Sequence, residues 1–211
     1  MKIAKSVTMS LYKYACRLTS VARFSGLNLG RNYSVAEHSY RVIILGMTIT
    51  HQYNKENPNN KISVEEVVLK AACHDLEESV LNDLPSPIKN LDPEFKVAYK
   101  KLGTRVMKDI ILPGSPEPEL YLKLWVEDKE GPTGEVVKVA DLLEGFCTVC
   151  YELKRGNKVL SKAFNKYVEQ FEKGDCKHLL EKFTLAKQIY LENKAMVNSG
   201  QTKKDEGFEA A

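Results

Sequence analysis

The sequence predicts an all-α fold. Apolar residues recur at helical spacing through nearly the whole chain, and two S-x-x-E capping boxes open long apolar runs. No segment carries the period-two alternation of a half-buried strand, and there is no internal repeat. The 211 residues are 43% hydrophobic and 28% charged, which suits a packed core and excludes a disordered or fibrous chain.

The first strong element spans residues 34–54. Ser34 and Glu37 form the capping box, and Val35, Val42, Ile43, Leu45 and Ile49 follow at helical spacing. A polar loop from His51 onward ends it. Ser63 and Glu66 open a second helix, carrying Val67, Val68, Ala71, Ala72 and Leu76 through residue 82 toward a stop at Leu84-Pro85-Ser86-Pro87. Asp92-Pro93 gives an N-cap with Pro in the first turn of a helix to about Ile111. After a Pro-rich loop, a short helix runs through Leu120, Leu124 and Trp125, and Gly131-Pro-Thr-Gly134 reads as a turn. The helix 135–153 is apolar on most faces, which places it in the middle of a domain. Two further helices fit 159–173 and 176–194. The expected organisation is one domain over 1–197, with 198–211 a frayed or disordered tail.

Several function classes fall away on composition. A formal net charge of +3 is too small to argue for nucleic acid as a partner. The longest uncharged apolar stretch, Val42–Thr50, is far short of the roughly 20 residues that cross a bilayer. The N-terminal lysines precede no apolar core and no clear cleavage site, so the start reads as mature protein. Five scattered cysteines make no disulfide framework and point to the cytoplasm. Cys147 and Cys150 fall at i, i+3 in the most apolar helix and read as core residues, not as a zinc or redox motif.

The chemistry concentrates in few residues. His38 lies in the first helix, and His74-Asp75 are adjacent in the second. Neighbouring helical residues point about 100° apart, so such a pair can grip one ion over a helix edge. Asp141 stands inside the most apolar helix, where a carboxylate is costly unless paired or metal-bound. Together they propose a site from three helices. Taken alone, each His reads equally as a hydrogen-bonded core residue, and Asp141 equally as half of a buried ion pair.

The order His, His-Asp, Asp resembles the HD-domain metal-dependent phosphohydrolases. Arg23-Phe24, Ser34-Val-Ala-Glu-His-Ser39, His74-Asp-Leu-Glu-Glu78 and Asp83-Leu-Pro-Ser-Pro87 further resemble the bacterial 5′-deoxynucleotidases (YfbR-like). The likeness covers residues 17–155. Arg17-Leu-Thr-Ser-Val-Ala-Arg23 is similar to the phage dATP triphosphohydrolases, which share the ligands and the Arg. The sequence departs from the 5′-deoxynucleotidase pattern at Phe24, where Trp is common, and at Asn82, where Gly is common. Asn tolerates the left-handed backbone region that Gly favours.

The resemblance implies an HD-domain helical bundle with one divalent transition ion per subunit (Co, Mn, Zn, Fe or Ni), held by His38, His74, Asp75 and Asp141. Arg23 becomes the phosphate clamp, because a guanidinium forks onto phosphate oxygens. Glu78, four residues after His74, is expected one helical turn along the same face, as a holder of water or a proton donor. Asp83 is expected beside the substrate, Phe24 against the sugar and Lys89 within reach of the phosphates. Glu37 is assigned to capping, and Glu77 to solvent or a pair on the other face. The expected activity is hydrolysis of deoxynucleoside 5′-monophosphates. The alternative is release of triphosphate from dATP, and a non-catalytic nucleotide-binding module ranks below both. The likeness also implies a homodimer or higher assembly, with the late helices as candidate contacts.

Overall fold

The computed structural model describes residues 10–89 and 91–199. The expected tail falls almost wholly outside them. Eleven α-helices are described: α1 Ser10–Arg17, α2 Val35–Glu56, α3 Val64–Cys73, α4 Glu78–Leu81, α5 Ser86–Lys89, α6 Pro93–Val106, α7 Pro118–Val126, α8 Gly131–Lys154, α9 Ser161–Glu172, α10 Lys177–Lys182 and α11 Thr184–Asn198. Among the described residues no strand forms, only one isolated bridge between Ala22 and Ser34. No described helix is long and apolar enough to cross a membrane.

The caps set the helix starts. Ser34 Oγ accepts from Glu37 N at 3.2 Å, while Glu37 Oε2 accepts from Ser34 N at 2.9 Å, closing both arms of the box. Ser63 accepts from Glu66 N, but Glu66 turns its carboxylate to Thr133 and Lys70 instead of closing a box. Asp92 caps α6 through Phe95 N, with Pro93 in the first turn.

Six boundaries differ from the sequence reading. The polar loop expected from His51 is still helical, since α2 runs on to Glu56. The helix expected over 63–82 breaks after Cys73: the chain makes tight i→i+3 turns (Leu76 N to Cys73 O, 3.2 Å; Glu78 N to Asp75 O, 3.1 Å) before α4. The expected stop at Pro85-Ser-Pro87 runs into the short helix α5. The Gly131–Gly134 turn is the first turn of α8, where Pro132 has no intrahelical N–H to lose. Residues 107–111 leave α6 as a π-helical turn, and the helix expected over 176–194 divides at Phe183 into α10 and α11.

Two apolar clusters build the interior. One joins α2, α3 and α8 with α9–α11 through Val42, Ile49, Val67, Val139, Leu143 and Phe146. Phe146 sits at its centre, with ring centroids of Phe164, Phe171 and Tyr190 at 5.7, 5.9 and 5.0 Å. The apolar stripe of the late helices is spent here: Leu179, Leu180, Phe183, Ala186 and Tyr190 are all buried within the chain. Cys150 lies in this cluster and Cys147 packs against it, both as free thiols. The other cluster joins the N-terminal segment, the 73–76 turn, the π turn and α7 through Leu18, Val35, Leu76, Met107 and Trp125.

The candidate ligands lie along the seam of these clusters. His38 falls on α2 between Val35 of one cluster and Val42 of the other. Gly46 lets α2 and α3 close together, since a Cβ there would stand 3.0 Å from Val67 Cγ1. Phe146→Ala should cost about 3–5 kcal/mol and Ser34→Ala about 1 kcal/mol. Thermal or denaturant unfolding checks both, and equal losses would contradict this core and cap assignment.

Candidate metal centre

The break after Cys73 shapes the site. His74 leaves the helix with its Nδ1 2.7 Å from Ala71 O, and a carbonyl only accepts, so Nδ1 carries the hydrogen. His38 directs its Nδ1 to Glu144 Oε2 at 2.7 Å. With Nδ1 so engaged on each ring, both Nε2 atoms face inward, and these stand 3.4 Å apart. Asp75 Oδ2 lies 3.1 Å from His74 Nε2 and 3.5 Å from His38 Nε2. Asp141 Oδ1 lies 3.2 Å from His38 Nε2. The structure thus brings together these four side chains from α2, the 74–77 turn and α8.

The donor set fits a divalent cation. Asp75 Oδ2 is buried with no hydrogen-bond partner, though it faces both imidazoles. His38, His74 and Asp141 offer ligand atoms within 4.8 Å of one another. Imidazole nitrogen with carboxylate oxygen suits a transition ion better than calcium. The electrostatics also call for positive charge. Burial opposes charging His38, yet Asp141 and Glu144 together raise its pKa. Burial likewise pushes Asp75 and Asp141 up, but His74 and Arg23 hold the first, and Lys129 and His38 the second, below the carboxylate range.

The remaining predicted residues surround this cluster. Arg23 reaches Asp83 Oδ1 at 3.4 Å, Asp141 Oδ1 at 3.5 Å and Asp75 Oδ2 at 3.9 Å. Asp83 also accepts from Phe24 N at 3.3 Å, so it fixes both the clamp and the aromatic beside it. Phe24 is half-buried, its ring 6.4 Å from that of Tyr33. Among the described residues Phe24 and Asn82 are the non-glycine residues with positive φ (57° and 63°), so the two departures from the 5′-deoxynucleotidase pattern hold unusual backbone next to Arg23 and Asp83. Lys89 pairs with Glu78 Oε1 at 2.7 Å.

Glu78 does not share a continuous helix face with His74, but the turn still delivers it. Its carboxyl is fully buried, and Oε2 has no hydrogen-bond partner. Burial, then the Asp75 charge, push its pKa up to about 9 against the pull of Lys89, which favours the protonated form. Glu77 is a correction. It is buried, not solvated, and accepts from Trp125 Nε1 at 2.5 Å, with burial pushing its pKa up to about 8. Glu37 keeps its capping role and adds Arg31 at 2.9 Å.

Two participants escaped the sequence reading. Glu144, one turn after Asp141, is buried and accepts from His38, from the Tyr33 hydroxyl and from Thr148. The cue was present, since it too is an acid in the most apolar helix. Lys129 places Nζ 2.8 Å from Asp141 Oδ2. It carried no signal, being a lysine in a charged turn. Beside the cluster opens a cavity of about 340 Å³, lined by His74, Asp75, Lys89, Lys96, Lys100 and Asp128 among others.

The family model described as 5′-deoxynucleotidase YfbR-like matches residues 10–185. A 5′-deoxynucleotidase of Photorhabdus laumondii is 26% identical over 164 residues, covering 77% of this chain and 81% of that protein. One from Pasteurella multocida is 27% identical over 149 residues, covering 69% and 76%. Among solved structures, an HD-domain phosphohydrolase from Listeria innocua superposes with TM-score 0.64 at 19% identity, covering 87% of this chain and 96% of that one. The HD phosphohydrolase of cyanophage S-2L, bound to dA and one catalytic Zn²⁺, superposes with TM-score 0.56 at 14% identity, covering 94% and 99%. At these identities the structures establish a shared helical fold.

Glu144 orients His38 from behind, and such carboxylates contribute about 10- to 100-fold to metal affinity. Glu144→Gln should weaken Co²⁺ binding by that factor while the chain stays folded. Metal titration alongside a melting curve checks this, and unchanged affinity would remove Glu144 from the site.

Proposed function

Because the chain belongs to the 5′-deoxynucleotidase YfbR-like family of HD-domain phosphohydrolases, we propose that it hydrolyses deoxynucleoside 5′-monophosphates to deoxynucleoside and orthophosphate. One observation carries this reading: two Nε2 atoms and two carboxylates converge beside a guanidinium and a fully buried carboxyl. His38, His74, Asp75 and Asp141 would hold the ion, and Co, Mn, Zn, Fe and Ni all suit that set. When bound, a divalent ion supplies positive charge for phosphoryl oxygens and acidifies water.

The protein's own groups divide the remaining work. Arg23 is held by Asp83 and Asp141 where it can fork onto phosphoryl oxygens. Burial favours the protonated form of Glu78, which can pass its proton to the leaving 5′-oxygen. Lys89 holds the other face of Glu78 and can turn to a phosphoryl oxygen. Phe24 offers an apolar ring to the sugar, without the indole N–H of the commoner Trp. A pure binding module needs no proton donor, and the buried Glu78 argues against one. The reading includes a cytoplasmic setting and a homodimer or larger assembly.

A second reading has its own observation. Lys89, Lys96 and Lys100 line the cavity beside His74 and Asp75. Their charge suits further phosphates, and hence triphosphate release from a deoxynucleoside triphosphate such as dATP.

Product analysis separates the two. Chelator-stripped protein is incubated with dAMP, AMP or dATP, with and without Mn²⁺ or Co²⁺, and the products are resolved by ion exchange. Orthophosphate from dAMP, metal-dependent and faster than from AMP, is the expected result. Intact triphosphate from dATP would establish the second reading, and no turnover of any substrate would overturn both. Glu78→Gln should lower kcat by about 10²- to 10⁴-fold with metal content unchanged. Arg23→Ala should spare metal and lose activity.

A further inference from the structure

The turn between α7 and α8 is more firmly built than a surface connection requires. Lys70 on α3 is 4% exposed, and it spends its ammonium on Glu130 O (2.9 Å) and Thr133 Oγ1 (3.1 Å). Thr133 in turn donates to Glu66 at 2.8 Å. Gly131 takes a positive φ of 70° to enter α8. Gly134 must be glycine, because a Cβ there would stand 2.3 Å from the carbonyl carbon of Lys129. All of these contacts bear on the backbone around one side chain, Lys129.

Lys129 points into the candidate metal centre. Its Nζ lies 2.8 Å from Asp141 Oδ2 and 3.6 Å from Asp128 Oδ2. Asp141 Oδ1 faces His38 and Arg23 instead. The carboxylate is thus divided: one oxygen toward the imidazole cluster, the other on Lys129. About a third of the lysine side chain stays accessible, and its neighbour Asp128 lines the cavity. An ammonium has three donors, and Asp141 takes one at hydrogen-bond distance.

A fixed ammonium beside a metal ligand works against the ion, since like charges repel strongly at such range. That placement is stabilising overall when an anionic ligand shares the site. We infer that Lys129 contacts substrate, binding a phosphoryl oxygen from the Asp141 Oδ2 side while Arg23 binds from the Oδ1 side. Lys70 is the positioning residue that aims it. This rests on the phosphohydrolase reading above.

The charge argument gives a test with opposite signs. Wild type and Lys129→Met are titrated first with Co²⁺ alone, then, Co²⁺-loaded, with inorganic phosphate. Removing the repelling charge should leave Co²⁺ affinity equal or tighter, while phosphate affinity falls about tenfold or more. KM for the hydrolysed deoxynucleotide should rise with it. Lys129→Arg should recover much of the phosphate affinity, and Lys70→Met should weaken phosphate with Co²⁺ binding retained. If Lys129→Met does not fold, Lys129→Gln carries the same two readouts. Weaker Co²⁺ binding with unchanged phosphate affinity would overturn the inference and leave Lys129 as a prop for Asp141. Unchanged binding of both would overturn it too. Failure of wild type to hydrolyse any deoxynucleotide would instead count against the functional reading, and the phosphate titration separates the two failures.

Discussion

The Nε2 atoms of His38 and His74 stand 3.4 Å apart, each with its Nδ1 hydrogen committed to an acceptor, and Asp75 and Asp141 add oxygens at 3.1–3.5 Å. Lone pairs and carboxylates at such spacing repel unless positive charge lies among them. Much of the surrounding structure can be derived from that requirement. Gly46 allows the approach of α2 and α3 that brings the rings together. The break after Cys73 turns His74 inward while Asp75 stays beside it. Glu144 sits behind His38 in the most apolar helix, where its burial is offset by three donors.

The position of the site at the seam of two apolar clusters follows from the same demand. A ligand set needs residues from several helices held to fractions of an ångström, and packed interiors supply that rigidity. Neither cluster alone contains all three elements that supply these residues. α8 contributes a long buried wall, and the 73–76 turn carries Cys73 and Leu76 into the second cluster. The Arg23 side is less regular. Arg23 and Phe24 come from an irregular segment, with the positive φ of Phe24 and of Asn82 next to Arg23 and Asp83. Backbone of this kind persists where neighbouring contacts over-determine it, here through Asp83 bonds to both Arg23 and Phe24 N.

The all-α class was legible because local patterns carry it: caps at Ser34 and Asp92 and a 3.6-residue apolar period. The candidate ligands were singled out by the likeness to HD-domain phosphohydrolases, since each His and Asp141 taken alone also read as a paired core residue. What was not legible depends on tertiary context. The helix break at His74 leaves no Pro or Gly mark, since the force that makes it is packing of Leu76 and the bond from His74 to Ala71 O. Glu77 looked like a surface acid because nothing local reports that Trp125, 48 residues on, covers it. Lys129 gave no cue at all. Its role depends on Gly134 and Lys70, residues whose relation appears only once α3 packs on α8.

Asp75 and Glu78 show how one short turn separates two chemically similar groups. Both carboxyls are held at the site, with oxygens within 4.8 Å of each other and of Glu77. Burial acts on both in the same direction. Asp75 is met by His74, Arg23 and His38, which hold it ionised. Glu78 is met by the negative charge of Asp75 itself, and Lys89 only partly offsets it. The ionisation of the first therefore favours the protonated form of the second, which suits the pair to the proposed roles of ligand and proton donor without any difference in side-chain type. A continuous helix from 63 to 82 would have fixed their spacing by helical geometry alone. The break after Cys73 instead sets Asp75 among the imidazoles and Glu78 in the buried pocket beside Lys89, and the division of labour in the proposed reaction depends on that turn.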